Sequence, residues 1–334
     1  MGFLVFSHNL SKLPKICYNQ IMEKQNDFFE EYVSINNLEH YFLHYPTESD
    51  FLVLFLHGGP GQSESYLAYK TVSKNRNYTL VFYDQRGSGK TNLKDASQEK
   101  VTLEILISDL DKIIDYLKSK YHQKKIIILG HSWGSILGLE YSKLFPEKIS
   151  AYVGMGQVIN FRQGEKVGFE YCYKLANQKD KKKLLKLGNY PESVTKENAL
   201  AKCNKFRVIQ MKYGICGYKE GTFSMLKISL KSPVFSWKDL KGNIAASKRN
   251  TLLMDYLIDY DTSDFLQPSF PVYFISGEND WQVPYVCVKE YFDKITAPDK
   301  KFFLLKNAGH LTDLENPQDY NNALNEICKR ILKG

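Results

Sequence analysis

The sequence predicts an α/β fold with a mostly parallel central sheet, helices on both faces of the sheet and an inserted helical cap. Two observations support this prediction. Apolar segments of strand length alternate with segments whose apolar residues recur at helical spacing, and this alternation is typical of βα units in a parallel sheet. Between residues 157 and 265 the alternation stops and long helical stretches follow one another, which indicates that a helical segment interrupts the α/β core.

The elements before this interruption are predicted from short apolar or β-branched runs for strands and from helical apolar spacing for helices. Asn36-Asn37 separates the first two runs and indicates an antiparallel hairpin. In chain order, the expected elements are strands at 32–35, 40–45, 51–56 and 78–83, a helix at 103–117, a strand at 125–129, a helix at 136–145 and a strand at 150–155.

The alternation resumes after the interruption. The expected elements there are a strand at 271–277, a helix at 286–295, a strand at 301–305 and a helix at 317–332. We therefore expect a loosely attached N-terminal extension at 1–25, an α/β core of 26–156 and 266–334, and a helical cap at 157–265.

Composition and charge limit the classes of function. The chain has 334 residues, 43% of them hydrophobic, so a large core is available, and its formal net charge is +8. The lysines clustered at 179–186 are typical of a solvent-facing helix, and no basic face with stacking aromatics indicates a nucleic-acid partner. No apolar run approaches the length of a membrane span, so no membrane partner is expected.

Metal and cofactor sites are also disfavoured by the sequence. The six cysteines show neither the paired spacing of a zinc site nor that of a disulfide framework. The glycine-rich segment at 57–61 lacks the lysine and the serine or threonine of a phosphate-binding P-loop. We expect no metal, no other cofactor, and a cytoplasmic protein with reduced thiols.

The segment with the clearest chemical meaning is Gly130-x-Ser132-x-Gly134, which follows the apolar run 126–129. A serine between two glycines at the end of a strand is typical of the nucleophile elbow, a turn so tight that only small residues fit on either side. The turn holds the serine on a strained backbone with its hydroxyl above the sheet edge. We therefore predict that Ser132 is a nucleophile.

A serine hydroxyl needs a neighbouring base, because it is a weak nucleophile at neutral pH. On a fold with this elbow, the triad follows the chain order serine, acid, histidine. Of the seven histidines only His310 lies beyond Ser132. It comes directly after the last predicted strand, so we predict that His310 is the base.

The acid that orients this base is expected just after a core strand between Ser132 and His310. The segment 276–280 offers two carboxylates, Glu278 and Asp280. We favour Asp280, since a short loop is needed to return to the imidazole, and Glu278 remains the alternative. Asp84 also follows a core strand, but its order in the chain is wrong and a structural role in its turn is expected.

An oxyanion hole requires main-chain N–H donors aimed at the developing charge. One is expected from Trp133, which follows the nucleophile at a helix N-terminus. The other is expected from the loop at 57–61, where Gly59 is favoured and Gly58 is a second candidate. Glycines in this loop permit a close approach of the backbone to the reacting carbon.

Five segments of the chain together resemble the α/β-hydrolases, and among them the prolyl-iminopeptidase-like branch. These are the segments at 57–61, 84–89, 130–135, 277–280 and 309–310. The resemblance covers the core from about residue 30 to the C-terminus. It implies an enzyme that releases an N-terminal residue, often proline, from small peptides under a helical cap whose carboxylates hold the free amine of the substrate.

The cap matches this family less closely than the core does. Near 235–238 the chain has Lys238 where an acid would serve the family's function. The candidates for substrate binding are therefore Gln157, Glu165 and Glu170. A spacing of five places the two glutamates about 140° apart on a helix, so we expect only one to face the pocket, and a solvent-facing position remains open for each.

Three classes of function remain after these observations. An aminopeptidase of the prolyl-iminopeptidase type, acting on a small-molecule or short-peptide substrate, is the leading hypothesis. An esterase, lactonase or amidase acting on a small acyl substrate is the alternative, and a non-catalytic ligand-binding protein of the same fold is the third. Dehalogenases and epoxide hydrolases place a carboxylate where Ser132 stands, which disfavours them.

Overall fold

A computed structural model describes residues 27–97, 99–218, 222–246 and 248–333, and the predicted extension at 1–25 lies outside them. Within the described residues, eight strands form one sheet. The strands are β1 (Phe29–Ile35), β2 (Leu38–Tyr45), β3 (Leu52–Leu56), β4 (Thr79–Tyr83), β5 (Ile126–His131), β6 (Ile149–Met155), β7 (Val272–Gly277) and β8 (Lys300–Leu305).

The arrangement of the strands confirms the predicted, mostly parallel sheet. The strand order is β1-β2-β4-β3-β5-β6-β7-β8. The predicted hairpin of β1 and β2 is antiparallel, as is the pairing of β2 with β4. All the other neighbours, from β4/β3 to β7/β8, are parallel. The carboxyl ends of β3–β8 therefore lie along one edge, where the loops that follow them can meet.

Side chains of the central strands alternate between two apolar cores, one on each face of the sheet. On β5, Ile128 belongs to one core and Leu129 to the other. The helix Leu103–Lys120 packs in the first core, and the helix Pro317–Ile331 packs in the second. The nearly continuous apolar runs of the sequence follow from this arrangement, because a parallel strand is buried on both faces.

Helices cover both faces of the sheet. None of the described helices is both long enough and apolar enough to cross a membrane. Short 3₁₀ turns lie at Ser65–Leu67 and Pro146–Lys148. The helices are α1 (Ala68–Thr71), α2 (Gly89–Asn92), α3 (Leu103–Lys120), α4 (Trp133–Leu144), α5 (Phe161–Leu175), α6 (Gln178–Leu185), α7 (Ala199–Lys212), α8 (Thr222–Lys231), α9 (Trp237–Ala246), α10 (Thr251–Ile258), α11 (Tyr285–Lys294), α12 (Thr312–Glu315) and α13 (Pro317–Ile331).

The helix after β5 begins earlier than the sequence predicts. The expected start was residue 136, whereas α4 begins at Trp133, directly after the elbow. Gly134 and Ser135 are weak helix formers in isolation, so helix propensity alone favours a later start. Packing overrides this preference, since only small residues fit where the first turn of α4 approaches β3.

The helices α5–α10 lie between β6 and β7 in the chain, within the predicted cap segment 157–265. The two ends of this segment are joined by main-chain hydrogen bonds. The N–H of Thr262 donates to the carbonyl of Ile159 at 2.9 Å, and the N–H of Phe161 donates to that of Tyr260 at 3.1 Å. The chain therefore leaves and re-enters the core at one place, so the insertion does not disturb the pairing of β6 with β7.

The elbow glycines are required by a close backbone approach. A Cβ atom on Gly134 would lie 2.6 Å from the carbonyl carbon of Leu56 and 2.8 Å from the carbonyl oxygen of His57. A Cβ on Gly130 would lie 2.6 Å from the carbonyl carbon of Gly134. These distances are far inside ordinary contact, so any side chain at either glycine would push α4 away from β3 and β5.

This packing predicts that Gly134→Ala lowers the free energy of unfolding, measured by urea titration, by at least about 2 kcal/mol. The matched control is Gly164→Ala, which is also a helical glycine. A Cβ at that position would meet nothing closer than Pro284 at 3.8 Å, so we expect an unchanged or up to about 1 kcal/mol higher stability. Equal effects of the two substitutions would contradict the packing argument.

Candidate active site

Ser132 occupies the turn between β5 and α4 in a conformation that L-residues rarely adopt. Its φ is +52° and its ψ is −117°. Strain of this kind persists only where the surrounding structure enforces it, and such residues cluster at functional sites. The N–H of Ser132 donates to the carbonyl of Met155 at 2.9 Å, and the residue lines a cavity. The structure therefore places Ser132 as the elbow pattern predicts.

His310 and Asp280 are brought together by the loops after β8 and β7. Nδ1 of His310 donates to Oδ2 of Asp280 at 2.9 Å. The other carboxylate oxygen of Asp280 accepts the main-chain N–H groups of Gln282 at 3.0 Å and Val283 at 2.8 Å. Asp280 is fully buried, so these bonds fix both the carboxylate and the ring that it holds.

The alternative acid, Glu278, has a different contact. Its Oε1 accepts the main-chain N–H of Asn307 at 2.7 Å. Asn307 lies three residues before His310, so Glu278 supports the loop of the histidine without touching its ring. Of the two carboxylates that the sequence left open, the structure therefore brings Asp280 to His310.

The elbow and the histidine flank the same turn at the end of β6. The N–H of Ser132 donates a hydrogen bond to the carbonyl of Met155. Gly156 follows Met155, and a Cβ atom on Gly156 would lie 3.2 Å from Cε1 of His310. Since Nδ1 of His310 is engaged by Asp280, Nε2 is the nitrogen left to exchange a proton with a substrate or a nucleophile.

The residues predicted to supply the oxyanion donors lie near Ser132. Gly59 has a φ of +123°, a value that only glycine adopts easily, and a Cβ on Gly58 would lie 3.3 Å from Cβ of Ser132. Gly59 and Trp133 both line the cavity. The indole N–H of Trp133 donates to Oε1 of Gln85 at 3.2 Å, which ties the start of α4 to the loop after β4.

The loops around these glycines are braced by buried polar groups. His57 accepts the main-chain N–H of Gln85 at Nε2, 3.0 Å away, and donates from Nδ1 to the carbonyl of Gly58 at 2.9 Å. Burial lowers the pKa of His57, which suits a neutral ring in this role. Asp84 accepts the hydroxyl of Ser65 at 3.0 Å and the N–H of Lys90 at 2.7 Å, so it holds its turn together, as the sequence indicated.

A buried ion pair lies next to the elbow. Nδ1 of His131 is 2.9 Å from Oε1 of Glu64, and its Nε2 is 2.9 Å from the carbonyl oxygen of His310. Burial by itself lowers the pKa of His131, but the charge and hydrogen bond of Glu64 and the charge of Asp313 raise it to about 9. The charge of His131 in turn keeps the pKa of Glu64 below its ordinary value against the effect of burial.

A cavity of about 490 Å³ opens beside Ser132, a size typical of small-molecule sites. Its lining is more apolar than polar, and it runs between the core and helices of the predicted cap. Among the described residues, four with charged side chains line it, and their formal charges sum to zero. These residues are Glu165, Lys196, Arg207 and Asp255.

The three predicted substrate-binding residues have different surroundings. Glu165 lines the cavity, but it is ion-paired with Arg207 and accepts the hydroxyl of Tyr190. Glu170 is exposed and does not line the cavity, in agreement with the expectation that only one of the two glutamates faces the pocket. Gln157 lines the cavity, but its amide accepts the hydroxyl of Tyr152 and donates to the carbonyl of Val158 at 2.8 Å.

Several residues of the site carry no signal in the sequence. Arg207 is 42 positions from Glu165, and Glu64 is 67 positions from His131, so neither pair forms a recognisable local pattern. Asp255 also lines the cavity. Within the described ranges, its carboxylate has no hydrogen bond or salt bridge, so it is available to a bound group. His131 stands inside the elbow motif, and its position directly before Ser132 is the signal that could have drawn attention to it.

No group of three histidine, cysteine or acidic side chains suited to a metal ion occurs among the described residues. The chemistry that the geometry offers is instead that of side chains. A strained serine, a histidine oriented by a buried carboxylate and main-chain donors beside the serine are the parts from which acyl transfer is built.

The fold and its site together define an α/β hydrolase. The profile of the family described as alpha/beta hydrolase fold matches residues 52–317. The chain belongs to this family, and the protein is a hydrolase.

Comparison with individual proteins places the chain near the proline iminopeptidases. A probable aminopeptidase of Bacillus subtilis (strain 168), YbaC, is 27% identical over 288 residues, which cover 84% of this chain and 90% of that protein. A proline iminopeptidase of Heyndrickxia coagulans is 23% identical over 287 residues, covering 84% of this chain and 91% of that protein. The predicted resemblance to prolyl-iminopeptidase-like α/β-hydrolases is confirmed.

Solved structures agree on the fold. The crystal structure of a proline iminopeptidase of Mycobacterium smegmatis superposes with a TM-score of 0.65 at 18% sequence identity, covering 91% of this chain and 98% of that chain. At this identity the likeness concerns the fold alone.

The ion pair beside the elbow predicts a pH dependence of stability. The pKa of His131 rises from 6.5 to about 9 on folding, so its protonation stabilises the fold fully below about pH 6.5 and the contribution is lost as the pH rises through 9. Between pH 7 and pH 9, the free energy of unfolding from urea titrations should fall by on the order of 2 kcal/mol more in the wild type than in His131→Gln. Parallel pH profiles of the two proteins would contradict this assignment.

Proposed function

We propose that the protein is a serine hydrolase that works through an acyl-enzyme formed on Ser132. The observation that carries the proposal is the hydrogen bond between His310 and the buried Asp280, located beside a strained serine that lines a cavity. Asp280 orients the imidazole and stabilises its protonated form, so that Nε2 can take the proton of the Ser132 hydroxyl.

In the proposed mechanism, Oγ of Ser132 attacks the carbonyl carbon of the substrate as His310 accepts the hydroxyl proton. The main-chain N–H groups of Trp133 and Gly59, with Gly58 as the second candidate in that loop, stabilise the negative oxygen of the tetrahedral intermediate. His310 then donates the proton to the leaving amine or alcohol. A water molecule, activated by the same histidine, hydrolyses the acyl-enzyme and restores Ser132.

We propose further that the substrate is a small molecule or short peptide with a free amine, whose N-terminal residue is released as in an aminopeptidase of the prolyl-iminopeptidase type. The names of the relatives support this class. The cavity also contains a suitable group for the amine, because the carboxylate of Asp255 has no partner within the described ranges. A substrate ammonium would give this half-buried carboxylate a charge-assisted hydrogen bond.

A second candidate is an esterase, lactonase or amidase acting on a small acyl substrate. The observation that favours it is the ion pair of Glu165 with Arg207, which satisfies the charge of the one predicted amine-binding glutamate that lines the cavity. The two candidates share the acyl-enzyme mechanism and differ in whether an ammonium contributes to binding.

We also propose a cytoplasmic location. Among the described residues, Cys172, Cys203, Cys216, Cys287 and Cys328 are all free thiols, which suits a reducing compartment.

A substrate panel tests the proposed function. The purified protein should hydrolyse proline, alanine or leucine p-nitroanilide, and blocking the amine of the best substrate should abolish turnover if the protein is an aminopeptidase. Turnover of p-nitrophenyl acetate or butyrate alone would support the second candidate. Ser132→Ala should lose at least about 1,000-fold in kcat on every active substrate. A Ser132→Ala variant with full activity would contradict the mechanism.

The role of Asp255 has its own prediction. Asp255→Asn should raise KM for the free-amine anilides about tenfold, because the ammonium loses a charged partner, while KM for p-nitrophenyl acetate stays unchanged. Glu170→Gln is the matched control, since it also removes one negative charge from the cap but at an exposed position, and it should leave both constants unchanged. An equal rise in KM for amine and ester substrates would rule out amine recognition by Asp255.

A further inference from the structure

The two ring nitrogens of His131 face a main-chain carbonyl oxygen and the carboxylate of Glu64, which accepts hydrogen bonds when it is ionised. Nδ1 faces the carboxylate of Glu64, and Nε2 faces the main-chain carbonyl of His310. A neutral imidazole has a single N–H and could satisfy one of these acceptors, whereas an imidazolium satisfies both. Since the pKa of Glu64 lies below its ordinary value, its carboxylate is ionised, and the two contacts together then call for a charged ring at this position.

We propose that the Glu64–His131 ion pair is a positioning device for the catalytic base, which holds the main chain of His310 against the nucleophile elbow. The inference rests on the proposed function, in which His310 is that base. His131 and Glu64 do not touch the substrate in this role. They act through the backbone of His310 and, by that route, through the orientation of its ring.

The contacts of the pair join three of the loops that form the site. Glu64 lies in the loop after β3, His131 ends β5 and directly precedes Ser132, and His310 lies in the loop after β8. The rings of His131 and His310 are 4.9 Å apart between centroids. On its other side, the N–H of His310 donates to the carbonyl of Cys216 at 2.7 Å. The backbone of His310 is thus held both at its N–H and at its carbonyl.

The charge of His131 also compensates a carboxylate placed close to the oxyanion loop. A Cβ on Gly58 would lie 3.1 Å from Oε1 of Glu64 and 3.3 Å from Cβ of Ser132. A carboxylate alone at this distance would oppose the negative charge that develops during acyl transfer. The imidazolium next to it cancels that effect, so the pair can support the loops without harming the oxyanion site.

This arrangement implies a pH dependence on the alkaline side. The titratable groups that face the His131 ring or act on its charge are Glu64, His57, Asp313 and His310. Because Glu64 and Asp313 raise the pKa of His131 to about 9 against the effect of burial, the ring loses its second proton above that pH. One of its two hydrogen bonds is then lost, and the hold on His310 weakens.

The test compares Glu64→Gln with the wild type, using p-nitrophenyl acetate because it has no amine that titrates. At pH 7.5 we expect kcat to fall about tenfold, the effect of losing one charge-assisted hydrogen bond, with KM unchanged. Above pH 9 the wild-type kcat should decline towards that of the variant, so the ratio of the two should shrink. A ratio that stays constant from pH 7 to pH 10 would indicate a merely structural contact and overturn the proposal.

The matched control is Glu31→Gln. Glu31 also lies 2.9 Å from a buried histidine, His44, whose pKa is lowered by burial, and it stands on β1 at the edge of the sheet. It should leave kcat and its pH profile unchanged. The same loss in Glu31→Gln as in Glu64→Gln would show a general effect on stability and contradict the positioning role.

A second measurement does not depend on turnover. In histidine-labelled protein at pH 7.5, the ring ¹⁵N resonances of His131 should show two protonated nitrogens in the wild type and one in Glu64→Gln. The ring resonances of His310 should shift in Glu64→Gln and stay in place in Glu31→Gln. A protein inactive on every substrate would refute the proposed function alone. A neutral His131 in the wild type, or unmoved His310 resonances in Glu64→Gln, would refute the positioning role.

Discussion

The close packing of the elbow against β3 is the constraint on which the site depends. Gly134 approaches the carbonyl groups of Leu56 and His57 so closely that it cannot carry a side chain. A side chain on Gly130 would in turn collide with the backbone of Gly134. This approach forces the turn that gives Ser132 its positive φ. It also starts α4 at Trp133, so that the N–H of this residue is free of the helix and lies beside the serine.

Around this turn, the carboxyl ends of three other parallel strands supply the remaining predicted residues of the site. The loop after β3 supplies Gly59, the loop after β7 supplies Asp280, and the loop after β8 supplies His310. Two carboxylates near the site are paired with cations, Glu64 with His131 and Glu165 with Arg207. Pairing of this kind offsets the cost of removing a charge from water.

The parts of the structure that were predictable from sequence are those determined by local pattern. Strands buried on both faces are apolar throughout, so β3 to β7 stand out as short apolar runs, and the elbow motif marks the end of β5. The order of serine, acid and histidine along the chain then led to His310, and the loop length favoured Asp280 over Glu278. The helix predicted at 136–145 begins three residues earlier, at Trp133, because its first turn depends on packing rather than on helix propensity.

The helical segment between β6 and β7 was less predictable because its side chains contact partners that are remote in sequence. Nothing near Glu165 indicates that Arg207 pairs with it or that Tyr190 donates a hydrogen bond to it. Asp255 is the one charged residue of the largely apolar helix α10, and no local motif marks it as a residue of the cavity. The pairing of Glu64 with His131 was not predictable either, because the two residues are 67 positions apart. A local motif indicates the residues that a tight turn requires, whereas the charges in a pocket depend on the tertiary structure.

The central claim is that Ser132 is the nucleophile, and covalent labelling with a fluorophosphonate tests it most directly. Intact-mass measurement should show one adduct per chain, and peptide mapping should place it on Ser132. Denatured protein and Ser132→Ala should remain unlabelled. Labelling of another residue, or a native wild-type protein that does not react, would contradict the claim.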